Sequence, residues 1–436
     1  TYGIELWRVS GTTATRLTDI EPGVGGSFPN YLTVVGSQLF FQATNSATYG
    51  TELWVSDGTA DGETLLEIVP STWSSSPSDI VAFDGKAFFQ AYTDDHGAEL
   101  WSSDGTESGT AMVVDIAEGY NASSDPMNLV PVGDQLFFTA SDDGGSSYDL
   151  WVYDGAEARK VKADGTPSVS QPIAFDGRLF FVANDPDAGN EIWVSDGTDE
   201  GTGLFVDIYP GSTFVGEDEY PHSSNPAELT VAGDFLFFNA DDGTNGPSLW
   251  VTDGTEAGTF MVANLFDSTL GEGPKGLTAT TNRLFFQTET EELGREVHSL
   301  PIANVVKPPN APTGEASGST ETAYTYSTTG GSLSLTGGDV KYRFNWGDGT
   351  STDWLDVGVT SAEHTWNEAG TYEVTVEALS VATPSIISNQ SDALSVLMSF
   401  TETVDVSFTS APETGEIWVE YEFSIDGSSD YGHDLE

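Results

Sequence analysis

"GAELWSSDGTESGTAMVVDI", Gly97–Ile116, is written several times along this chain. Close relatives begin at Gly50 ("GTELWVSDGTADGETLLEI"), Gly189 ("GNEIWVSDGTDEGTGLFVDI") and Gly246 ("GPSLWVTDGTEAGTFMVANL"). A stretch repeated in this way either holds a fold together or binds something. Two apolar runs, "ELWSS" and "TAMVVDI", flank an Asp-Gly-Thr turn. Asp-Gly is the strongest short hairpin signal, because glycine takes a positive φ without a Cβ clash. Each copy therefore reads as two strands and a turn.

Working outward, the tryptophans set the period. Trp7, Trp54, Trp101, Trp151, Trp193 and Trp250 lie 47, 47, 50, 42 and 57 residues apart, and a worn copy, "GREVHSL", places His298 another 48 residues on. Between copies runs a second element: "GSQLFFQA", "GKAFFQA", "GDQLFFTA", "GRLFFVA", "GDFLFFNA" and "NRLFFQT". Two hairpins in a period of roughly 40–50 residues are the signature of a β-propeller. Strands with continuous apolar centres, such as "LFF" and "MVV", suit blades covered on both faces. Five complete units supply 20 strands, the start adds two and the end three, which gives 25. Six blades closed by pairing strands from the two ends is the favoured expectation, and seven is the alternative. Trp, Leu and Phe read as packing between blades, and Asp-Gly-Thr as the turn.

Residues 1–306 resemble the ELWxxDGT repeat family of large secreted or surface proteins of bacteria. Three copies depart from the pattern. "ELWRVSGT" loses the Asp, "DLWVYDGAEARKV" loses its second half, and "EVHSLPIA" loses Trp and DGT together.

A Pro/Gly/Ser/Thr stretch, residues 307–318, reads as a linker. Beyond it, alternation in "KYRFNW" and "TYEVTVEA" predicts half-buried strands over 319–400. Trp346–Gly349 ("WGDG"), His364–Trp366 and Gly370–Val376 follow in order. These motifs resemble the polycystic kidney disease (PKD) type of Ig-like β-sandwich, and that resemblance implies an extracellular spacer or adhesion module without catalytic residues. Ser410–Glu436 echoes Asn310–Lys341, and residues 401–436 read as the first part of a second such sandwich, either incomplete or completed by a neighbouring chain through β-augmentation. The fold class is thus all-β, a propeller followed by an Ig-like sandwich.

Charge excludes whole classes of partner. Sixty-nine acidic residues stand against 13 basic ones, for a net charge of −56, and only six of the basic residues are lysines. Nucleic acid needs Lys and Arg for its phosphates, and an anionic membrane surface would repel this chain. No apolar run long enough to cross a bilayer occurs, so no membrane insertion is expected in this segment. Acidity on this scale points to a salty habitat, where screening shortens to a few ångströms, to bound divalent cations, or to simple solubility. The absence of cysteine fits a prokaryotic exterior.

For catalysis the inventory is thin. The five histidines are scattered, and no nucleophile elbow, P-loop or zinc motif occurs. Calcium is the better chemical expectation. Four loops between the LFF and ELW strands carry Asp94 and Asp95; Asp142, Asp143 and Asp149; Asp185 and Asp187; and Asp241 and Asp242. Hard oxygen donors at alternating positions near glycine suit Ca²⁺, although none of these loops has full EF-hand spacing, and solvated Asx turns explain them equally well. The insertion Val206–Pro226, with Tyr209, Phe214 and Tyr220, reads as a partner contact or a crossover loop. The expectation is a non-enzymatic extracellular structural or adhesive protein of the cell surface or of a filament. It would associate with itself or with other surface proteins, and head-to-tail assembly is one mode. The competing reading is a secreted propeller that binds or processes carbohydrate, with glycans as partners.

Overall fold

A computed structural model describes residues 3–400 except 61, 71–72, 146, 163–167, 217, 264–272, 291–293, 303–304, 329–337, 382–386 and 389. The expected second sandwich at 401–436 lies outside the described residues.

The propeller begins with a two-stranded sheet, β1 (Trp7–Ser10) and β2 (Thr13–Arg16). Blade 1 comprises β3 (Asn30–Val35), β4 (Gln38–Asn45), β5 (Gly50–Ser56) and β6 (Glu63–Leu66). Blade 2 comprises β7 (Ser78–Phe83), β8 (Lys86–Thr93), β9 (Gly97–Ser103) and β10 (Ala111–Val114). Blade 3 comprises β11 (Met127–Val132), β12 (Gln135–Ala140), β13 (Asp149–Tyr153) and β14 (Ala158–Lys160). Blade 4 comprises β15 (Ser170–Phe175), β16 (Arg178–Asp185), β17 (Gly189–Ser195) and β18 (Gly203–Val206). The insertion after it forms a hairpin of β19 (Ser212–Val215) and β20 (Asp218–Pro221). Blade 5 comprises β21 (Ala227–Ala232), β22 (Phe235–Ala240), β23 (Ser248–Thr252) and β24 (Phe260–Ala263). A three-stranded sheet of β25 (Lys275–Ala279), β26 (Arg283–Thr290) and β27 (Gly294–Pro301) ends the series.

Each complete blade is an antiparallel meander, and the first strands of successive sheets neighbour one another from β3 through β25. The expected 25 strands are present, with the insertion hairpin additional. Their closure differs from the favoured expectation. Among the described residues β1 pairs only with β2, and β27 only with β26, so the end strands do not complete one blade together.

Alternation explains the paired aromatics. Phe88 packs towards blade 3 and Phe89 towards blade 1. In the same blade Leu100 faces forwards and Trp101 backwards. This arrangement repeats: Phe137 and Leu150 face blade 4, while Phe138 and Trp151 face blade 2. Successive side chains of a strand point to opposite faces, so "FF" and "LW" serve two interfaces each. Burying one such side chain contributes about 1.5–3 kcal/mol. First strands carry a bulge at a fixed place, where Tyr31, Asp79, Asn128, Gln171 and Glu228 take positive φ. Side chains at these bulges bridge blades. The Asn128 amide donates to Asp79 at 2.9 Å and the Glu228 amide to Gln171 at 2.8 Å.

The sandwich holds β28 (Ser317–Ser319), β29 (Tyr324–Ser327), β30 (Val340–Asn345), β31 (Ser361–His364), β32 (Gly370–Ser380) and β33 (Leu394–Ser399). One sheet runs β28-β33-β32-β30 and the other pairs β29 with β31. Between them lie Trp346, Trp366, Tyr326, Phe344, Val374 and Val396. Tyr326 meets Trp366 edge-on at 5.6 Å. Val305 is buried with the last propeller sheet and Val306 with the sandwich, so the chain changes cores between adjacent residues. Part of the expected linker is drawn onto the sandwich: the Thr313 amide donates to the Ser327 carbonyl at 2.7 Å, and the Ala316 carbonyl accepts from Leu397 at 2.9 Å.

Candidate functional site

The most regular polar feature of the propeller is the glutamate of "ELW", which sequence reasoning passed over. Glu52, Glu99 and Glu191 sit on central strands of their blades and are fully buried. Each carboxylate is bound by the loop that leads into the next blade. Glu99 accepts from the amides of Ile116 at 2.9 Å and Ser124 at 3.0 Å, and from the Ser124 hydroxyl at 2.6 Å. Glu52 accepts from Ile68 and from the amide and hydroxyl of Ser75, and Glu191 from Ile208 and from the amide and hydroxyl of Ser224. Glu5 repeats the arrangement with Thr18, Ile20 and Ser27. Burial pushes the carboxyls of Glu52, Glu99 and Glu191 above the usual range, while the serine and backbone hydrogen bonds pull them back. The recurrent glutamate is a staple between blades.

Blade 3 departs from this arrangement. Asp149 replaces the glutamate, one methylene shorter, and its carboxylate takes the Lys160 ammonium at 2.6 Å, with Asp142 on the same ammonium at 3.2 Å.

The other recurrent acid, that of DGT, makes the turn. In Asp57, Asp104, Asp196 and Asp253, Oδ1 accepts from the amide two residues on at 2.8–3.0 Å and from that threonine's hydroxyl at 2.6–2.7 Å. A Cβ at Gly109, Gly201 or Gly258 would run into that carboxylate. The Thr59, Thr106 and Thr198 hydroxyls, then the amides, hold Asp57, Asp104 and Asp196 below the ordinary carboxylate range. The same tripeptide makes the same turn in the sandwich, where Asp348 accepts from Thr350 at 2.9 and 2.6 Å and also meets His364 at 2.8 Å. Both recurrent acids of the blade thus act within the fold.

The loops expected to bind calcium share one topological position, between the second and third strands of blades 2 to 5. The structure does not bring them together. Among the described residues no group of three His, Asp or Glu converges on a point a metal could occupy. Asp143 accepts from Ser141 and Ser147, Asp185 from the amides of Asp187 and Ala188, Asp241 from Gly243, and Asp242 from Thr244 and Asn245. Asp94 lies 3.5 Å from the Tyr92 hydroxyl, and the Asp95 carbonyl accepts from Asn121. With Lys160 already between Asp142 and Asp149, a second cation there would compete with it.

A different feature of this face is apolar. The connections from the outermost strand of one blade to the first strand of the next emerge on the same side as the acidic loops, since both join strands running in the same pair of directions. Those connections expose Trp73 (65%), Tyr120 (83%), Phe214 (65%) and Tyr220 (54%). Phe214 and Tyr220 fell within the insertion singled out in the sequence. Its third aromatic, Tyr209, instead packs against His222, the tilted rings 4.2 Å apart. Trp73 and Tyr120 were missed because they have no fixed place in the repeat; their signal is a lone aromatic in a Ser/Gly/Asn-rich loop.

Residues 315–382 match the PKD domain family. This match points to an extracellular or surface location. No curated protein matches the chain. Among solved structures, the PKD domain of an M14-like peptidase from a Thermoplasmatales archaeon is similar at 30% identity, over 21% of this chain and 96% of that one, with a TM-score of 0.18. The β-propeller domain of the Trilobed protease from Pyrococcus furiosus is similar at 11% identity, over 62% of this chain and 78% of that one, with a TM-score of 0.34. The extracellular domain of a one-component system from B. thetaiotaomicron is similar at 10% identity and a TM-score of 0.36; the alignment spans 92% of this chain but 55% of that one, about half its length. Within the described residues no helix is long and apolar enough to cross a membrane.

Proposed function

We propose that this chain is part of a non-enzymatic surface protein of a prokaryote in a saline habitat, with the propeller as adhesive element and the PKD domain as spacer. One observation carries the reading. The polar residues that recur from blade to blade, the ELW glutamate and the DGT aspartate, are engaged in staples and turns, so the recurrence describes architecture and not a repeated active site. The resemblance of residues 1–306 to the ELWxxDGT repeat family supports the same assignment. Immunogold labelling of intact cells tests it: label on the outer surface is expected, and label confined to the cytoplasm would overturn it.

Assembly and calcium belong to this proposal. Ile4, Trp7 and Val9 at one end of the propeller, and Val297 at the other, leave apolar side chains in solvent, which favours self-association through the ends. Electron microscopy of native material with and without a chelator reads both. Filaments that fray on chelation are expected, and single rings indifferent to chelation would remove both parts.

A further inference from the structure

The exposed aromatics on the loop face need a reason, because five of the six recurrent tryptophans pack against the preceding sheet and these four side chains belong to none of those clusters. Looseness is not the reason, since the loops that carry them are braced. The Thr51 amide donates to Ser74 next to Trp73 at 2.9 Å, and Ser75 is held by Glu52. A Cβ at Gly50 would strike the Trp73 carbonyl, so strand and loop are fitted to each other. Beside Tyr120, Asn121 accepts from the Tyr92 hydroxyl at 2.7 Å and its amide donates to Asp95. The insertion hairpin is closed by Thr213 against His222 at 2.9 Å and by the tilted Tyr209–His222 ring contact. Backbones are therefore fixed while the rings stand in water. This is the pre-organisation that lowers the entropy lost on binding.

The surroundings select the ligand. A polyanion is repelled by a chain of net charge −56, and by the aspartates that share this face. Carboxylates and amides such as Asp94, Asp95 and Asn121 are acceptors with lone pairs to spare, and a hydroxyl-rich ligand offers them donors. Flat aromatic rings offer apolar area beside a polar tip, which suits the C–H face of a pyranose. Three separate connections, those between blades 1 and 2, 2 and 3, and 4 and 5, each place a weak contact on this face, an arrangement that gains from a long repeating ligand.

We infer that the loop face of the propeller, through Trp73, Tyr120, Phe214 and Tyr220, binds a neutral polysaccharide. This rests on the adhesive reading above and names its partner class. The test is affinity electrophoresis of the full chain through gels containing dextran, hydroxyethylcellulose, galactomannan or neutral xylan, with alginate and chitosan as charged controls at low and high salt. Retardation by at least one neutral polymer, persisting in high salt, is expected. The Trp73→Ala/Tyr120→Ala/Phe214→Ala variant should bind about tenfold more weakly or worse, on the scale of hot-spot loss, with an unchanged melting temperature. The three single variants serve the same purpose should the triple variant melt early. Retardation by chitosan alone, erased by salt and indifferent to these substitutions, would mean charge attraction and overturn the inference. So would passage unretarded through every neutral gel. In either case surface labelling of cells still decides the adhesive reading, so the two fail separately.

Discussion

Trp7 and Trp54 occupy the same place in the same motif, yet one is 45% exposed and the other 7%. The motif's tryptophan always packs on the preceding blade. Trp54 finds Leu6, Leu17 and Ile20 there, whereas Trp7 stands on the first sheet of the series, before blade 1. The burial of a repeated residue is thus a property of its neighbour as much as of its own strand, as expected where each repeat contacts only the next. Position in the array, and not the motif, sets the energetic weight of each letter.

The largest effect should come from breaking this pair at its buried member. Trp54→Ala removes an indole from between two blades and should cost about 3–5 kcal/mol, whereas Trp7→Ala should cost about 1 kcal/mol or less. Urea unfolding followed by circular dichroism reads both. Equal costs would mean that Trp7 is covered in solution, and a partner chain would be the first candidate.

Blades 2 and 3 extend the comparison from apolar to polar letters. Glu99→Ala strands the Ile116 amide in a dry loop and leaves the Ser124 amide and hydroxyl only their bonds to the Ala98 carbonyl, at 3.1 and 3.4 Å, and should cost about 3 kcal/mol. In blade 3 the equivalent break is Lys160→Met, which leaves Asp149 buried without its cation. A smaller loss, about 2 kcal/mol, is expected at neutral pH, because Asp142 and solvent lie close. A Lys160→Arg variant, which keeps the charge, that loses as much stability as Lys160→Met would show that the lysine's packing matters and its charge does not.

Little of this staple was legible beforehand. Propeller class, 25 strands, the Asp-Gly turns and the sandwich followed from spacing, because turns and alternation are local. The glutamate was not legible, since a charged residue in a strand reads as solvent-facing and its partner lies some two to three dozen residues on. A signal does exist: Glu5, Glu52, Glu99 and Glu191 are each followed by Ser-x-Pro, at Ser27, Ser75, Ser124 and Ser224. In blade 5 the letters are exchanged, with Ser248 on the strand and Glu272 before Pro274. The acidic loops stayed open to two readings for a different reason. Aspartates beside glycine serve calcium and Asx turns alike, and only coordinates show which amides they accept.

The raised carboxyls of Glu52, Glu99 and Glu191 make stability depend on pH in a direction opposite to most acids. The native state holds protons that the unfolded chain has released, so stability falls as pH rises from the unfolded value of 4.5 through the folded value. Melting temperature should therefore rise as pH is lowered from 7 towards 4.5. Relief of general charge repulsion adds in the same sense, and a Glu52→Gln/Glu99→Gln/Glu191→Gln variant separates the two by flattening only the part due to the staples. Below the unfolded value of 3.8 the sign reverses, as Asp57, Asp104 and Asp196 lose the stabilisation their lowered values represent. A variant slope identical to that of the parent would mean that these glutamates ionise as freely folded as unfolded.

The smallest expected effect concerns the aspartate of DGT, the letter that first raised the question of binding. Asp104 uses one oxygen, Oδ1, to accept from the Thr106 amide and hydroxyl, and asparagine keeps an oxygen there. Asp104→Asn should then cost about 0.5 kcal/mol or less, while Asp104→Ala, which removes the acceptor, should cost about 1 kcal/mol. If the carboxylate's charge served a cation, the two substitutions would be equally damaging, and the difference between parent and variant would vanish once a chelator was added. A graded loss that ignores the chelator instead assigns the repeated aspartate to the turn. That outcome would leave the unrepeated residues, the aromatics of the loop face, as the part of the propeller free to recognise something else.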